Sequence, residues 1–145
     1  MEVKCMRELT RTYEVCGDDF SRAGEASGAI KRTLKDLGFR PDVIRRVAIA
    51  TYEAEINMVI HANGGTITSM ISPERVSIEF ADRGPGIPDI SLAMQEGWST
   101  ASEDVRNLGF GAGMGLPNIK KNADEFDIKS QEGVGTTLRF SIKAL

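Results

Sequence analysis

The chain has 145 residues, 41% of them hydrophobic and 27% charged, with 18 basic against 21 acidic side chains and a formal net charge of -3. That is enough chain to bury a core without metals or disulfides, the mild acidity counts against nucleic acid as the main partner, and no apolar run approaches the roughly 20 residues that cross a bilayer. The amino terminus has no apolar segment with a cleavage-like site, and Cys5 and Cys16 fit neither a zinc spacing nor CxxC, so reduced thiols in a cytoplasmic protein are expected.

A β-branched, moderately alternating run predicts a first strand over 6–15, with Leu9, Tyr13 and Val15 as its apolar members. A helix is predicted over 20–37, stopped by Gly38 in the left-handed cap position. The next begins at Pro41-Asp42 and runs to 62, with Val43, Val47, Ala50 and Ala54 at helical spacing, before Asn63-Gly64-Gly65 breaks it. Strands over 67–71 and 76–81 are separated only by residues 72–75 and read as a hairpin. A short helix is expected over 89–96, then a long glycine-rich segment over 97–113 that reads as a functional loop or lid. A helix over 116–124 and strands over 126–130 and 136–142 complete the chain. No linker, charge block or repeat divides it, so one domain over 1–145 is expected. The fold class is α+β: a two-layer α/β sandwich with helices on one face of a mixed, mostly antiparallel sheet.

Glycine occurs 15 times, and eight of these sit in three tight groups: Gly84 and Gly86; Gly109, Gly111, Gly113 and Gly115; Gly133 and Gly135. Clustered glycine marks backbone that bends sharply or approaches a ligand closely. Glu53 and Asn57, four apart on the long helix, share one face. A carboxylate and an amide in that register suit orienting a hydroxyl and holding magnesium, which favours oxygen ligands, although a solvated polar stripe has the same spacing. Asp82-Arg83-Gly84-Pro85-Gly86 follows an apolar strand, where a carboxylate needs donors; an exocyclic amine beside it is one reading and an ordinary turn is another. Gly109-Phe110-Gly111-Ala112-Gly113-Met114-Gly115-Leu116 runs into a helix start, a setting suited to polyphosphate. It is neither a P-loop nor a GxGxxG fingerprint placed after a strand, and the kinase motifs HRD and DFG are absent.

In order, Glu53-x-x-x-Asn57, Asp82-x-Gly84-x-Gly86, Gly111-x-Gly113-x-Gly115-Leu116 and Gly133-Val134-Gly135-Thr136-Thr137 resemble the boxes of the GHKL (Bergerat-fold) ATPase superfamily. The strings from Glu53 to His61, Gly97-Trp98-Ser99-Thr100 and Gly115-Leu116-Pro117-Asn118 to Asp124-Glu125-Phe126 are similar to its bacterial anti-sigma factor and serine-protein kinase branch. Within that branch the resemblance is closer to RsbT-type than to RsbW-type members.

The resemblance implies ATP and Mg2+ as cofactors. Asn57 would hold the magnesium, and Glu53 would be the general base. Asp82 would accept from the adenine amino group, with Gly84 and Gly86 shaping the pocket and Thr136 supporting the same contact. Gly109, Gly111, Gly113, Met114, Gly115 and Leu116 would form the phosphate-facing end of a lid that also contains Ser99, Thr100 and Arg106. It implies a serine/threonine protein kinase acting on an anti-anti-sigma (STAS-type) protein. The alternative is a non-catalytic, nucleotide-gated module that sequesters a sigma factor or activates a PPM-type phosphatase. A homodimer, and neither nucleic acid nor membrane, completes the expected partners. Arg83 stands where asparagine is frequent in the superfamily, and residues 101–108 lengthen the lid.

Overall fold

Residues 8–17, 20–61, 64–83, 115–131 and 133–144 are described by a computed structural model of the chain. Five strands, β1 (Leu9–Val15), β2 (Gly65–Ile71), β3 (Arg75–Asp82), β4 (Glu125–Gln131) and β5 (Gly135–Lys143), form one sheet in the order β1-β2-β3-β5-β4. Its four pairings are all antiparallel, so the mostly antiparallel sheet expected from the sequence has no parallel pair among the described residues. Helices α1 (Glu25–Asp36), α2 (Pro41–His61) and α3 (Gly115–Asn122) accompany it.

Alternation fixes the two faces of the sheet. Ile67, Phe80, Leu138 and Ile128 lie side by side in register toward the helices, as do Ile78, Phe140 and Phe126 in the next row. The opposite face carries the polar row Thr12, Thr68, Glu79, Arg139 and Asp127. Val43, Val47, Ala50, Ala54 and Met58 of α2 are buried, and Ile30 and Leu34 of α1 and Leu116 and Ile119 of α3 complete the same core. The Phe80 and Phe140 rings stack at its centre, 5.9 Å between centroids.

The hairpin of β2 and β3 and the helix opened by Pro41 stand as expected. Helix 20–37 does not form as one piece. Residues Phe20–Arg22 make a 3-10 turn, and Gly24 at φ 97° turns the chain before α1 begins, because a left-handed residue interrupts the helical path and glycine takes that conformation freely. Gly38 at φ 82° ends α1 as expected, its N–H donating to the Lys35 carbonyl and that of Phe39 to the Leu34 carbonyl. Helix α3 stops at Asn122 instead of 124, because the Asp124 N–H is already committed to the Ser141 carbonyl of β5 at 2.9 Å. The first strand is described from Leu9, and the expected helix 89–96 and loop 97–113 lie outside the described residues.

Candidate functional site

The α2 backbone places Glu53 and Asn57 one turn apart, both half-buried. Glu53 does not lie in a free polar stripe: its Oε2 accepts a hydrogen bond from Asn118 Nδ2 of α3 at 3.3 Å. Asn57 makes no side-chain hydrogen bond with any described residue. Asn118 is a partner that sequence reasoning missed, since it lies 65 residues from Glu53; its only signal was an amide in the first turn of the helix that follows the glycine string.

Two residues further along α2, Glu55 points the other way. It is 2% exposed, and its two oxygens accept the N–H groups of Ala26 (3.2 Å) and Ser27 (3.0 Å). Gly24 has no side chain to cap α1, so the carboxylate from α2 takes over that role. A concavity of about 500 Å3 beside it, between β1 and α1, is lined by Val15, Cys16, Arg32, Glu55 and Val59 and holds none of the expected nucleotide-binding residues. Cys16 is a free, exposed thiol.

Asp82 ends β3 at the helix-facing edge of the sheet. Its Oδ1 accepts the Thr136 N–H at 2.9 Å, while the Thr136 hydroxyl lies 2.8 Å from that of Ser130. Thr136 therefore touches Asp82 through backbone and spends its hydroxyl on β4. Gly65 and Gly135 flank Asp82 on the two neighbouring strands. A Cβ on Gly135 (φ 150°) would run into the Asp82 carbonyl oxygen, and one on Gly65 (φ 159°) into the Ala81 carbonyl, the Asp82 Cα and the Met58 methyl. Met58 is the neighbour of Asn57, so the second half of α2 packs over Gly65, the β2 residue paired with Asp82.

Gly115 opens α3 and Leu116 is buried against the core. Gly84, Gly86, Ser99, Thr100, Arg106, Gly109, Gly111, Gly113 and Met114 lie outside the described residues. The far end of α3 is pinned to α2 and β5. Arg46 Nε donates to the Asn122 carbonyl at 2.9 Å, Arg46 Nη2 meets Asp124 Oδ1 at 3.1 Å, and Asp124 Oδ2 accepts the Lys143 N–H at 2.7 Å. The Lys143 N–H foremost, and then Arg46, hold the Asp124 carboxyl below its ordinary pKa against the opposing push of burial.

A sheet with helices on one face, an acid and an amide one turn apart on the central helix, and a glycine-flanked aspartate at the sheet's end are arranged as expected of a nucleotide-binding ATPase domain of the histidine kinase type. A model of the histidine kinase-like ATPase domain matches residues 19–142, and the chain belongs to that family. Membership makes ATP its nucleotide.

Within the family the chain is similar to the serine/threonine-protein kinase RsbT of Bacillus subtilis, 34% identical over 113 residues, covering 75% of this chain and 79% of RsbT. It is also similar to the anti-sigma F factors of Thermoanaerobacter sp. strain X514 (32% identical, 97% of this chain and 95% of that one) and Caldanaerobacter subterraneus (31%, the same coverage). The expected branch is thus the one in which the chain falls. Among solved structures, the SiaB–SiaC complex of Pseudomonas aeruginosa superimposes with a TM-score of 0.65 over 97% of this chain and 92% of that one, at 16% identity, and shares the fold. No helix among the described residues is long and apolar enough to cross a membrane.

Proposed function

We propose that the chain is an ATP- and Mg2+-dependent serine/threonine protein kinase whose substrate is a STAS-type regulator in a bacterial partner-switching pathway, working in the cytoplasm as a single domain. The observation that carries this reading is Glu53, half-buried, oriented by Asn118 and one turn from Asn57. A carboxylate held in place can take the proton of an incoming hydroxyl as that oxygen attacks the terminal phosphate. Asp82, fixed by the Thr136 N–H, is the acceptor for the adenine amino group.

The donor set suits magnesium of the nucleotide-borne kind. Among the described residues no three His, Cys, Asp or Glu side chains cluster into a metal cage, whereas Mg2+ commonly uses one or two protein oxygens together with substrate phosphates and water. The Asn57 amide oxygen supplies one such ligand, and the ion, when bound, neutralises charge on the phosphates.

The name anti-sigma F factor, carried by relatives that span almost all of this chain, supports a second reading: nucleotide-gated sequestration of a sigma factor, or activation of a PPM-type phosphatase, by a homodimer. One experiment separates the two. The purified chain is mixed with labelled ATP, Mg2+ and the STAS and sigma proteins encoded beside it. Phosphoserine or phosphothreonine on the STAS protein is expected; stoichiometric sigma binding without phosphorylation overturns the kinase reading in favour of the module.

A further inference from the structure

Two exposed apolar side chains of the helical layer, Ile49 and Tyr52, stand beside Glu53 on α2, near basic groups that make no ion pair with any described residue. Along α2, Arg45, Ile49 and Tyr52 recur at spacings of four and three, so they share one stripe, and Glu53 stands four residues beyond Ile49 on its edge. Ile49 and Tyr52 are 36% and 40% exposed, where large apolar groups of a central helix are ordinarily covered. Tyr52 lies against α1, since a Cβ on Gly24 would meet its ring at 3.3 Å. From that contact Ser27, Lys31 and Lys35 follow at four-residue spacing along the same side of α1, and the two lysines are exposed.

The segment that carries this surface is basic although the chain is acidic. Residues 25–46 hold six basic side chains against three acidic ones, although the whole chain carries a net -3. Arg40 pairs with Asp42 and Arg46 with Asp124, but Lys31, Lys35 and Arg45 make no ion pair with any described residue. Unpaired basic groups around an aromatic and aliphatic centre match the anatomy of a protein interface, an apolar middle with a charged rim.

We infer that the ridge of Ile49 and Tyr52, rimmed by Lys31, Lys35 and Arg45, docks the protein substrate through an acidic surface with an apolar contact at its centre, which delivers the acceptor hydroxyl to Glu53 one turn away. The inference rests on the kinase reading above and adds the chemistry of the partner's surface.

The test uses the full chain and the purified STAS protein encoded beside it. Calorimetry measures binding of ATP and of the STAS protein to wild type, to Ile49→Ala and to the double variant Lys31→Glu, Arg45→Glu. The charge-reversed chain is expected to lose about tenfold or more in affinity for the STAS protein, with its salt dependence reduced, and Ile49→Ala a smaller factor, while ATP affinity stays at the wild-type value. Wild-type STAS affinity in both variants overturns the docking surface and leaves the kinase reading standing. Failure of the wild-type chain to bind the STAS protein overturns the kinase reading and the surface with it. A homodimer in sedimentation that Ile49→Ala dissociates overturns the inference in favour of a second copy as the occupant.

Discussion

Glu53 and Glu55, two residues apart on α2, serve opposite flanks of the helix: Glu53 meets Asn118 of α3 at 3.3 Å, and Glu55 caps α1 through Ala26 and Ser27. Two carboxylates of the same type in one string thus divide into one half-buried beside Asn118, the proposed base, and one consumed by the fold. Truncating them separates the roles. Glu53→Ala is expected to keep ATP binding and to lower phosphoryl transfer to the STAS protein by about 10²- to 10⁴-fold, read by single-turnover transfer. Unchanged transfer removes Glu53 from the role of base.

Glu55→Ala strips α1 of its cap and leaves two N–H groups without an acceptor. A loss of about 2 kcal/mol in unfolding free energy is expected, measured by urea denaturation. The loss belongs to the fold, so ATP affinity of the folded fraction stays near that of wild type.

Asp82→Asn replaces the acceptor for the Thr136 N–H and, on the proposed reading, for the adenine amine, so an ATP affinity about tenfold or more weaker is expected from the strength of charge-assisted hydrogen bonds. Gly135→Ala reaches the same residue by sterics. Its Cβ displaces the Asp82 carbonyl, so both stability and nucleotide affinity fall, the former by about 1–3 kcal/mol. Calorimetry and thermal unfolding on both variants distinguish the chemical effect from the steric one.

The acid limb of stability reports Asp124. Its folded carboxyl titrates below the ordinary 3.8, so the folded state favours the ionised form more than the unfolded chain does. The stabilisation is complete above the ordinary value and fades as pH falls through the lowered one. Asp124→Asn is therefore expected to flatten the drop in stability across that acid window, with its cost appearing at neutral pH. A parallel acid limb in the variant contradicts this assignment.

Thr51 carries a fully buried hydroxyl with no hydrogen-bond partner among the described residues. Thr51→Val keeps the shape and the β-branch and removes the unmet polar group, so a gain of about 1 kcal/mol is expected in the same urea titrations.

What the sequence revealed follows the range of each interaction. The Glu53 and Asn57 pair and the glycine groups are legible because helical spacing and glycine clustering are local properties. Asn118 and the Glu55 cap are not, because they join residues 65 and 28 or 29 apart, and no local pattern marks an acid as a cap for a helix other than its own. Gly24 was hidden for another reason: Gly28 sits inside α1 without breaking it, so composition alone does not say which of the two turns the chain. Gly64 and Gly65 read as a helix stop, and only the sheet shows that Gly65 clears room for Asp82.

The bond from Thr136 to Asp82 spans 54 residues and joins β3 to β5, the last strand among the described residues. A nascent polypeptide that has already released Glu53, Asn57 and Asp82 from the ribosome still lacks the strand that fixes the aspartate. Closing so long a loop comes late in folding, after the local hairpin and helices. On the proposed adenine role of Asp82, nucleotide binding waits on β5, so ATP affinity also reports whether the β3–β5 ladder has closed.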